Sequence, residues 1–357
     1  MTAPAARVRI GMIGAGFIAG YHLDGLRAAG GADVRVIAGR TPATTAALAA
    51  RHGIAATTTD WREVLARDDI DAVVITTPDD THPEIAIAAA RSARHILLQK
   101  PMARTADECR QIIAAAQAAK VHLSVSFMHR HFEEVVRARE LLAEGAIGVP
   151  YAMRMRNATP GPDWGAWFYR KARVGGGVVM QLGVHGIDLL RHLFGDIDAV
   201  SATTALLRTT RTLTDGTVVH PDNEDHAWAT YRLASGTIAS HEMSMSEVAG
   251  CDRFTLEIYG ERGTIWLRSV RGALAINAPQ FTGNRDWVVP ALPVREPGAR
   301  QHAAFLDIVR GAAPPDSTAG DGLASVLVTE AIYRAAAARR EEPVTPAAPD
   351  IQREGRS

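Results

Sequence analysis

The first chemistry legible in this chain is phosphate binding. Gly14-Ala15-Gly16-Phe17-Ile18-Ala19 follows an apolar run, Val8–Ile13, and opens an amphipathic stretch, Phe17–Ala29. A strand that turns tightly into a helix offers backbone N–H groups and the positive end of the helix dipole to an anion. In such a turn the first glycine bends the chain and the second admits the backbone to a pyrophosphate. A small third residue, here Ala19, lets helix and strand pack closely. Gly14, Gly16, Phe17, Ile18 and Ala19 are therefore the first candidate contacts of a dinucleotide. The next strand-like run, Val34–Ala38, ends in Gly39-Arg40-Thr41. NAD enzymes usually place an acid here to accept from the ribose 2′-hydroxyl, and the acid is missing. Gly39 leaves room for a 2′-phosphate, Arg40 can pair with it and Thr41 can hydrogen-bond it. This leans to NADP over NAD; an Arg40 that stacks on adenine is the NAD alternative.

The elements that must position these residues follow from periodicity. Up to Phe127, short apolar runs (Val8–Ile13, Val34–Ala38, Ala72–Thr76, Ile96–Leu98, His122–Val125) alternate with helical patterns. That spacing predicts a doubly wound parallel sheet, a Rossmann α/β domain over 1–127. After it come a helix, Phe132–Glu144, and longer Thr-, Val- and Tyr-rich runs separated by turn signals such as Ala234-Ser235-Gly236. These predict an α+β domain over 128–340 with one large, mostly antiparallel sheet, closed by helices at Ala299–Gly311 and Gly320–Arg340. The Pro- and charge-rich tail, 341–357, is left without secondary structure.

Composition limits the partners. The chain has 357 residues, with 39 Lys+Arg against 39 Asp+Glu. A zero formal net charge argues against nucleic acid or an anionic membrane as the main partner. The two cysteines, Cys109 and Cys251, form no C-x-x-C and support neither a disulfide framework nor a thiolate metal site, which fits a reducing cytoplasm. No secretory leader pattern opens the chain, and no run of about 18 apolar residues predicts a membrane span.

Thr76-Thr77-Pro78-Asp79-Asp80-Thr81-His82 ends the fourth strand, Gln99-Lys100-Pro101 ends the fifth, and Gly175-Gly176-Gly177-Val178-Val179-Met180-Gln181-Leu182-Gly183-Val184-His185-Gly186-Ile187-Asp188 follows in the second domain. In this order and spacing, with Phe127-Met128-His129-Arg130 after the sixth strand and Gly320–Ala331 near the end, the chain resembles the glucose–fructose oxidoreductase / inositol dehydrogenase (Gfo/Idh/MocA) family over nearly its whole length. The resemblance implies an open-faced sheet domain that often mediates homodimers or homotetramers. It also implies hydride transfer between nicotinamide C4 and a secondary alcohol of a sugar, inositol or other cyclic polyol. Lys100 matches the family's lysine beside the reacting carbon, and His185 matches the histidine that takes or gives the hydroxyl proton. Thr77, Pro78, His82, Gln99 and Lys100 itself join the candidate cofactor contacts. Two positions depart from the pattern: Gln99 replaces the usual Glu, and Gln181 stands where many members carry Asp. An Asp there would raise the pKa of the histidine, and Gln181 adds no such charge.

The residue types suit that chemistry. Alcohol oxidation needs a base for the hydroxyl proton and a cation for the developing alkoxide. Histidine, with an unperturbed pKa near 6.5, suits the first task, and a lysine ammonium after a parallel strand suits the second. Gln181, His185 and Asp188 share one face if helical, and the glycine run before them is expected to let backbone approach a ligand. The catalytic candidates are Lys100, His185 and Gln181. The substrate candidates are Lys100, Arg130, Trp164, Gln181, His185 and Asp188, with Trp164 in an aromatic loop, 160–170, suited to stacking on a sugar ring. His185, Asp188 and His192 also lie at i, i+3, i+7, but no metal is expected. Two other readings remain open: a dehydrogenase of an aromatic-acid cis-dihydrodiol, and a non-catalytic cofactor-binding sensor, against which the presence of both Lys100 and His185 argues.

Overall fold

Ala72–Ile75 has no polar face to offer water, and it forms a strand whose four residues are all buried, as a parallel strand covered on both faces should be. In the computed structural model, which describes residues 6–249 and 253–345, this strand is β4 of a six-stranded sheet. Its companions are β1 (Val8–Ile13), β2 (Ala32–Ala38), β3 (Ala56–Thr58), β5 (His95–Gln99) and β6 (Leu123–Ser126). All pair in parallel, in the order β3-β2-β1-β4-β5-β6. The connecting helices are α1 (Phe17–Ala29), α2 (Pro42–His52), α3 (Trp61–Leu65), α4 (His82–Arg91) and α5 (Ala106–Ala119), which carries the buried Cys109. Strand order reverses between β1 and β4, and ligands of such sheets bind outside the carboxyl ends of the strands at that point.

The second unit opens with α6 (Glu133–Ala143) and β7 (Pro150–Ala158), then a short α7 (Lys171–Val174). A π-helical turn, Val179–Gly183, runs directly into α8 (Val184–Phe194). Next come β8 (Ile197–Ala205), the two-residue pair β9 (Arg211–Thr212) and β10 (Val218–Val219), β11 (His226–Leu233), β12 (Ile238–Ser244), β13 (Phe254–Gly260), β14 (Gly263–Ser269), β15 (Gly272–Asn277) and α9 (Pro279–Thr282). The chain closes with α10 (Ala299–Val309), α11 (Thr318–Ala338) and β16 (Glu342–Pro343). The large sheet runs β15-β14-β13-β7-β12-β11-β8-β16, and only the β7–β12 pair is parallel. In β11, His-Ala-Trp-Ala-Thr-Tyr-Arg-Leu, the residues Ala227, Ala229, Tyr231 and Leu233 are buried and the alternating Trp228, Thr230 and Arg232 are exposed. This period of two covers one face of the sheet and leaves the other open. Arg154 and Arg156 lie on that open face of β7, where Arg154 approaches Glu257 and Arg156 pairs with Glu242 and Glu247.

Two expectations about organisation need correction. The second domain was expected to run unbroken over 128–340, but residues 295–323 group with the first unit. The reason lies in α10, whose Phe305 and Leu306 complete the core formed by Val8, Ile10, Leu23 and Leu26. The tail was expected to be unstructured from residue 341, but Glu342 and Pro343 pair with Val200 and Ala199 of β8. The rest of the tail from 346, and Cys251, lie outside the described residues. Among the described residues no helix is long and apolar enough to cross a membrane.

The join between α1 and α10 is polar at its centre. His302 Nδ1–H donates to the Gly298 carbonyl (2.7 Å), which leaves its Nε2 to accept from His22 Nδ1–H (2.9 Å). Gly25 makes this possible, because any Cβ there would overlap the His302 ring. Burial lowers His302 to about 4 and holds His22 well below the ordinary imidazole range. In the unfolded chain both would take protons near pH 6.5, so the stabilisation is complete above that pH and is lost as pH falls toward 4. The urea midpoint should therefore drop between pH 6.5 and 4. His302→Gln should flatten that drop by removing about one proton taken up on unfolding. Equal pH slopes for the two proteins would contradict this role of the pair.

Candidate active site

Three loops of the first unit meet the carboxyl edge of neighbouring strands β1, β4 and β5. Gly14 follows β1 with φ of +112°. A Cβ on it would lie 2.5 Å from Thr76 Oγ1 and 2.7 Å from the Thr76 carbonyl carbon. The Thr76 hydroxyl donates to the Gly14 carbonyl (3.1 Å), locking the ends of β1 and β4 together. Gly16 is different: a Cβ there would meet nothing within 4 Å. It stands at the N-cap of α1, with no side chain to occupy the first-turn amides, and Phe17 beside it is 66% exposed. Ile18 is half-buried, and Ala19 is buried in the sheet core. Gly14 is thus demanded by the fold. Gly16 leaves an open cradle at a helix N-terminus, and such a cradle fits a dinucleotide phosphate.

At the end of β2, Arg40 and Thr41 are both exposed. Gly39 was read as leaving room for a 2′-phosphate. In the structure a Cβ at Gly39 would overlap Thr45 Oγ1 and sit 2.7 Å from Ala15 Cβ, so α2 and the glycine turn already require this glycine. At the end of β5, Gln99 Oε1 accepts from the Lys100 amide (2.8 Å), and the Lys100–Pro101 peptide is cis. An amide carbonyl thus does at Gln99 what a carboxylate oxygen would do for the same N–H. His82, expected to face a cofactor ribose, has another part. Its fully buried ring lies between the carbonyls of Pro101 (Nδ1, 3.0 Å) and Thr77 (Nε2, 2.9 Å), tying the Thr77–Pro78 turn to the lysine loop. Arg130, expected at the substrate, is buried, pairs with Asp321 at 2.9 Å and covers the Phe127 ring.

In the second unit Gln181, His185 and Asp188 are all buried. Gly183 and Gly186 bring their helix down onto the sheet: a Cβ on Gly183 would overlap Met243, and one on Gly186 would overlap Asn157 and crowd His241. At about 100° per residue, His185, Asp188 and His192 point away from the sheet on one face. Gln181 lies in the π-helical turn Val179–Gly183, where the sequence predicted a helical face shared with His185 and Asp188. Beneath Gly186, Tyr231 Oη donates to His241 Nδ1 (2.9 Å) and His241 Nε2–H donates to Asn157 Oδ1 (2.8 Å); burial lowers His241 to about 3. Trp164 is 47% exposed and meets Phe168 edge-on at 4.9 Å, in a loop where Trp167 stacks on Phe168.

The glycine run was expected to admit a ligand, and the structure corrects this. A Cβ on Gly176 would overlap the Tyr333 hydroxyl and one on Gly177 the Glu224 carbonyl, while Gly175 ends α7 in the left-handed region at φ +73°. The groups that fill this space come from a segment that sequence reasoning passed over, Asp222–Asp225. Asp222 accepts from the Lys171 amide (2.6 Å), and Asn223 donates to the carbonyls of Phe168 (2.9 Å) and Gly176 (3.0 Å). Glu224 Oε1 accepts from Gly177 N (2.8 Å), Val179 N (3.2 Å) and the Tyr333 hydroxyl (2.7 Å). Burial pushes the Glu224 carboxyl up, and these donors pull it back. Asp225 is held at about 2: it is buried, but the amides of Leu207 and Arg208, with Ser246 and His226, all stabilise its charge. Before such contacts are known, Pro221-Asp222-Asn223-Glu224-Asp225 reads only as a polar turn before β11.

Comparison with known proteins matches this division. Residues 8–127 match the family described as "Oxidoreductase family, NAD-binding Rossmann fold", and residues 135–266 match the GFO/IDH/MocA C-terminal domain. The levoglucosan dehydrogenase of Pseudarthrobacter phenanthrenivorans is 29% identical, with 92% of this chain and 96% of the relative covered. The inositol 2-dehydrogenase of Rhizobium meliloti is 27% identical over 94% of this chain and 98% of its own. A solved levoglucosan dehydrogenase in complex with NADH and L-sorbose superposes with a TM-score of 0.86 at 26% identity, covering 96% of this chain and all of the other. With both halves matched in order and the same architecture throughout, the chain belongs to the GFO/IDH/MocA family of NAD-binding oxidoreductases.

Proposed function

We propose that this oxidoreductase interconverts a secondary alcohol and a ketone on a sugar, inositol or related cyclic polyol. The observation that carries the reading is the row of loops along one carboxyl edge of the first sheet: the open Gly16 cradle after β1, the Thr77–Pro78 turn after β4 and Lys100 after β5. Relatives named for levoglucosan and inositol favour this substrate class over the dihydrodiol and sensor readings. The dinucleotide would lie against Gly14, Gly16, Phe17, Ile18 and Ala19, with the main chain of Gly39 and the side chains of Arg40 and Thr41 toward the adenosine and Thr77, Pro78 and Gln99 toward the nicotinamide. When bound, it supplies the ring carbon that takes the hydride. His185 removes the hydroxyl proton, Lys100 stabilises the alkoxide oxygen, and Gln181, Asp188 and Trp164 orient the ring of the substrate. Arg40, exposed where an acid would select NAD, favours NADP. We place the enzyme in the cytoplasm as a homodimer or homotetramer, on cysteine usage and family resemblance.

Cofactor binding is tested by calorimetry with NADH and NADPH. Gly16→Val should leave the melting temperature of the free protein near wild type and abolish binding of both, since the new side chain enters only the cradle. Arg40→Ala should weaken NADPH more than NADH. Unchanged affinities in Gly16→Val would remove the assigned site, and wild-type binding of NADH at least as tight as NADPH would remove the NADP preference alone.

The mechanism is tested by turnover on levoglucosan, myo-inositol, L-sorbose and 1,5-anhydro-D-fructose. Losing a general base costs about 10²–10⁴-fold, so His185→Ala should lower kcat by roughly that factor with cofactor affinity unchanged. Lys100→Met should be at least as damaging. One limb of the wild-type pH–rate profile should vanish in His185→Ala. Gln181→Asp should move it upward, because a carboxylate stabilises the imidazolium. Near-wild-type turnover in both the His185 and Lys100 variants would rule this mechanism out.

A further inference from the structure

The first N–H groups of a helix have no partner inside it and must find one elsewhere. In the helix that carries Gln181 and His185, three consecutive amides find theirs on one residue. Gly177 N and Val179 N donate to the Glu224 side-chain Oε1, and Val178 N donates to the Glu224 main-chain carbonyl (2.9 Å), across 47 residues of sequence between Gly177 and Glu224. Tyr333 from α11 donates to the same Oε1 (2.7 Å), a third donor that holds the carboxylate in place. Gly176 and Gly177 have no side chain because Tyr333 and Glu224 occupy that space.

This anchor holds the wide turn. Val179, whose amide is bonded to Glu224, accepts at its carbonyl from the Val184 amide, the i→i+5 bond that makes the turn π-helical. His185 is the next residue. A π turn carries one more residue than an α turn and is less favourable by itself, so its neighbours must maintain it. If it relaxed to i→i+4 bonding, everything beyond would rotate by about 100° relative to the start of the helix.

We propose that Glu224 is a positioning residue for His185: by fixing the amides of residues 177–179 it holds the π turn and thereby sets where the imidazole points. This rests on the reading of His185 as the proton acceptor. The side chain acts through its reach rather than its charge, since an amide oxygen at the same distance accepts the same three hydrogen bonds.

The test uses the full-length protein and two variants. Glu224→Gln keeps the acceptor in place, and its kcat should stay within about threefold of wild type on the fastest substrate of the panel above. Glu224→Asp keeps the charge and withdraws the oxygen by one methylene. Misplacement of a catalytic group by about 1 Å can cost on the order of 10²-fold, so kcat should fall about 10- to 100-fold with NADH and NADPH affinity unchanged. In the cofactor-free protein, amide exchange across residues 177–184 should accelerate in Glu224→Asp and not in Glu224→Gln. The loss should disappear in a His185→Ala background, because a group that acts only through His185 costs nothing once His185 is gone. Wild-type kcat or unchanged exchange in Glu224→Asp would overturn the proposal. An undiminished loss in the double variant, or a loss in Glu224→Gln equal to that in Glu224→Asp, would overturn it too. Wild-type turnover in His185→Ala alone would first refute the role of the histidine, and this inference would fall with it.

Discussion

The close approach of Gly14 to Thr76 is the constraint on which the cofactor end of the first unit depends. With the Thr76 carbonyl carbon 2.7 Å from where a Cβ would stand, only glycine lets β1 end directly beside β4. That approach sets the start of α1, and with it the open cradle at Gly16. It also places the Thr77–Pro78 turn, which His82 joins to the lysine loop through its two carbonyl contacts. Packing among apolar side chains supplies the stability of this sheet, but the polar contacts at its edge decide where the candidate site residues lie.

The second unit solves the same problem by other means. Its catalytic candidates sit on a helix rather than at strand ends, so the helix itself must be fixed in height and rotation. Gly183 and Gly186 set the height by letting the backbone rest on Met243, Asn157 and His241. The clamp from Asp222–Asp225 sets the start, and the buried Tyr231–His241–Asn157 chain keeps polar groups satisfied beneath it. Buried polar chains of this kind are costly unless complete, and complete ones specify a single arrangement.

Much of this was legible in the residues. The parallel sheet followed from runs such as Ala72–Ile75 that have no polar side, and the open-faced sheet from the strict alternation in β11. The glycine turn is marked by its place between an apolar run and an amphipathic stretch, whereas Lys100 and His185 were singled out by residue type together with the family resemblance, and their roles are proposed. What could not be read depends on partners distant in the chain. The apolar face of α10 shows that the helix is buried, not that it is buried against α1. Gly39 and the 175–177 run look like ligand clearances, yet Thr45, Tyr333 and Glu224 account for them. The π turn has no periodic signal, since one extra residue in one turn is invisible to a pattern averaged over a helix. Glu224 looked like part of a polar loop because its four hydrogen bonds all lie across long sequence separations or on its own main chain.

In the proposed reaction a carbon-bound hydrogen of a cyclic alcohol leaves as hydride to the dinucleotide on the first unit. Myo-inositol and levoglucosan deuterated at their carbinol carbons test it directly. After incubation with the enzyme and NAD⁺ or NADP⁺, mass spectrometry of the reduced cofactor should find one deuterium per molecule, and the label should be absent when the enzyme is Gly16→Val. Substrate turnover that yields reduced cofactor carrying only protium, or oxidation that proceeds with no reduced cofactor formed, would contradict the account.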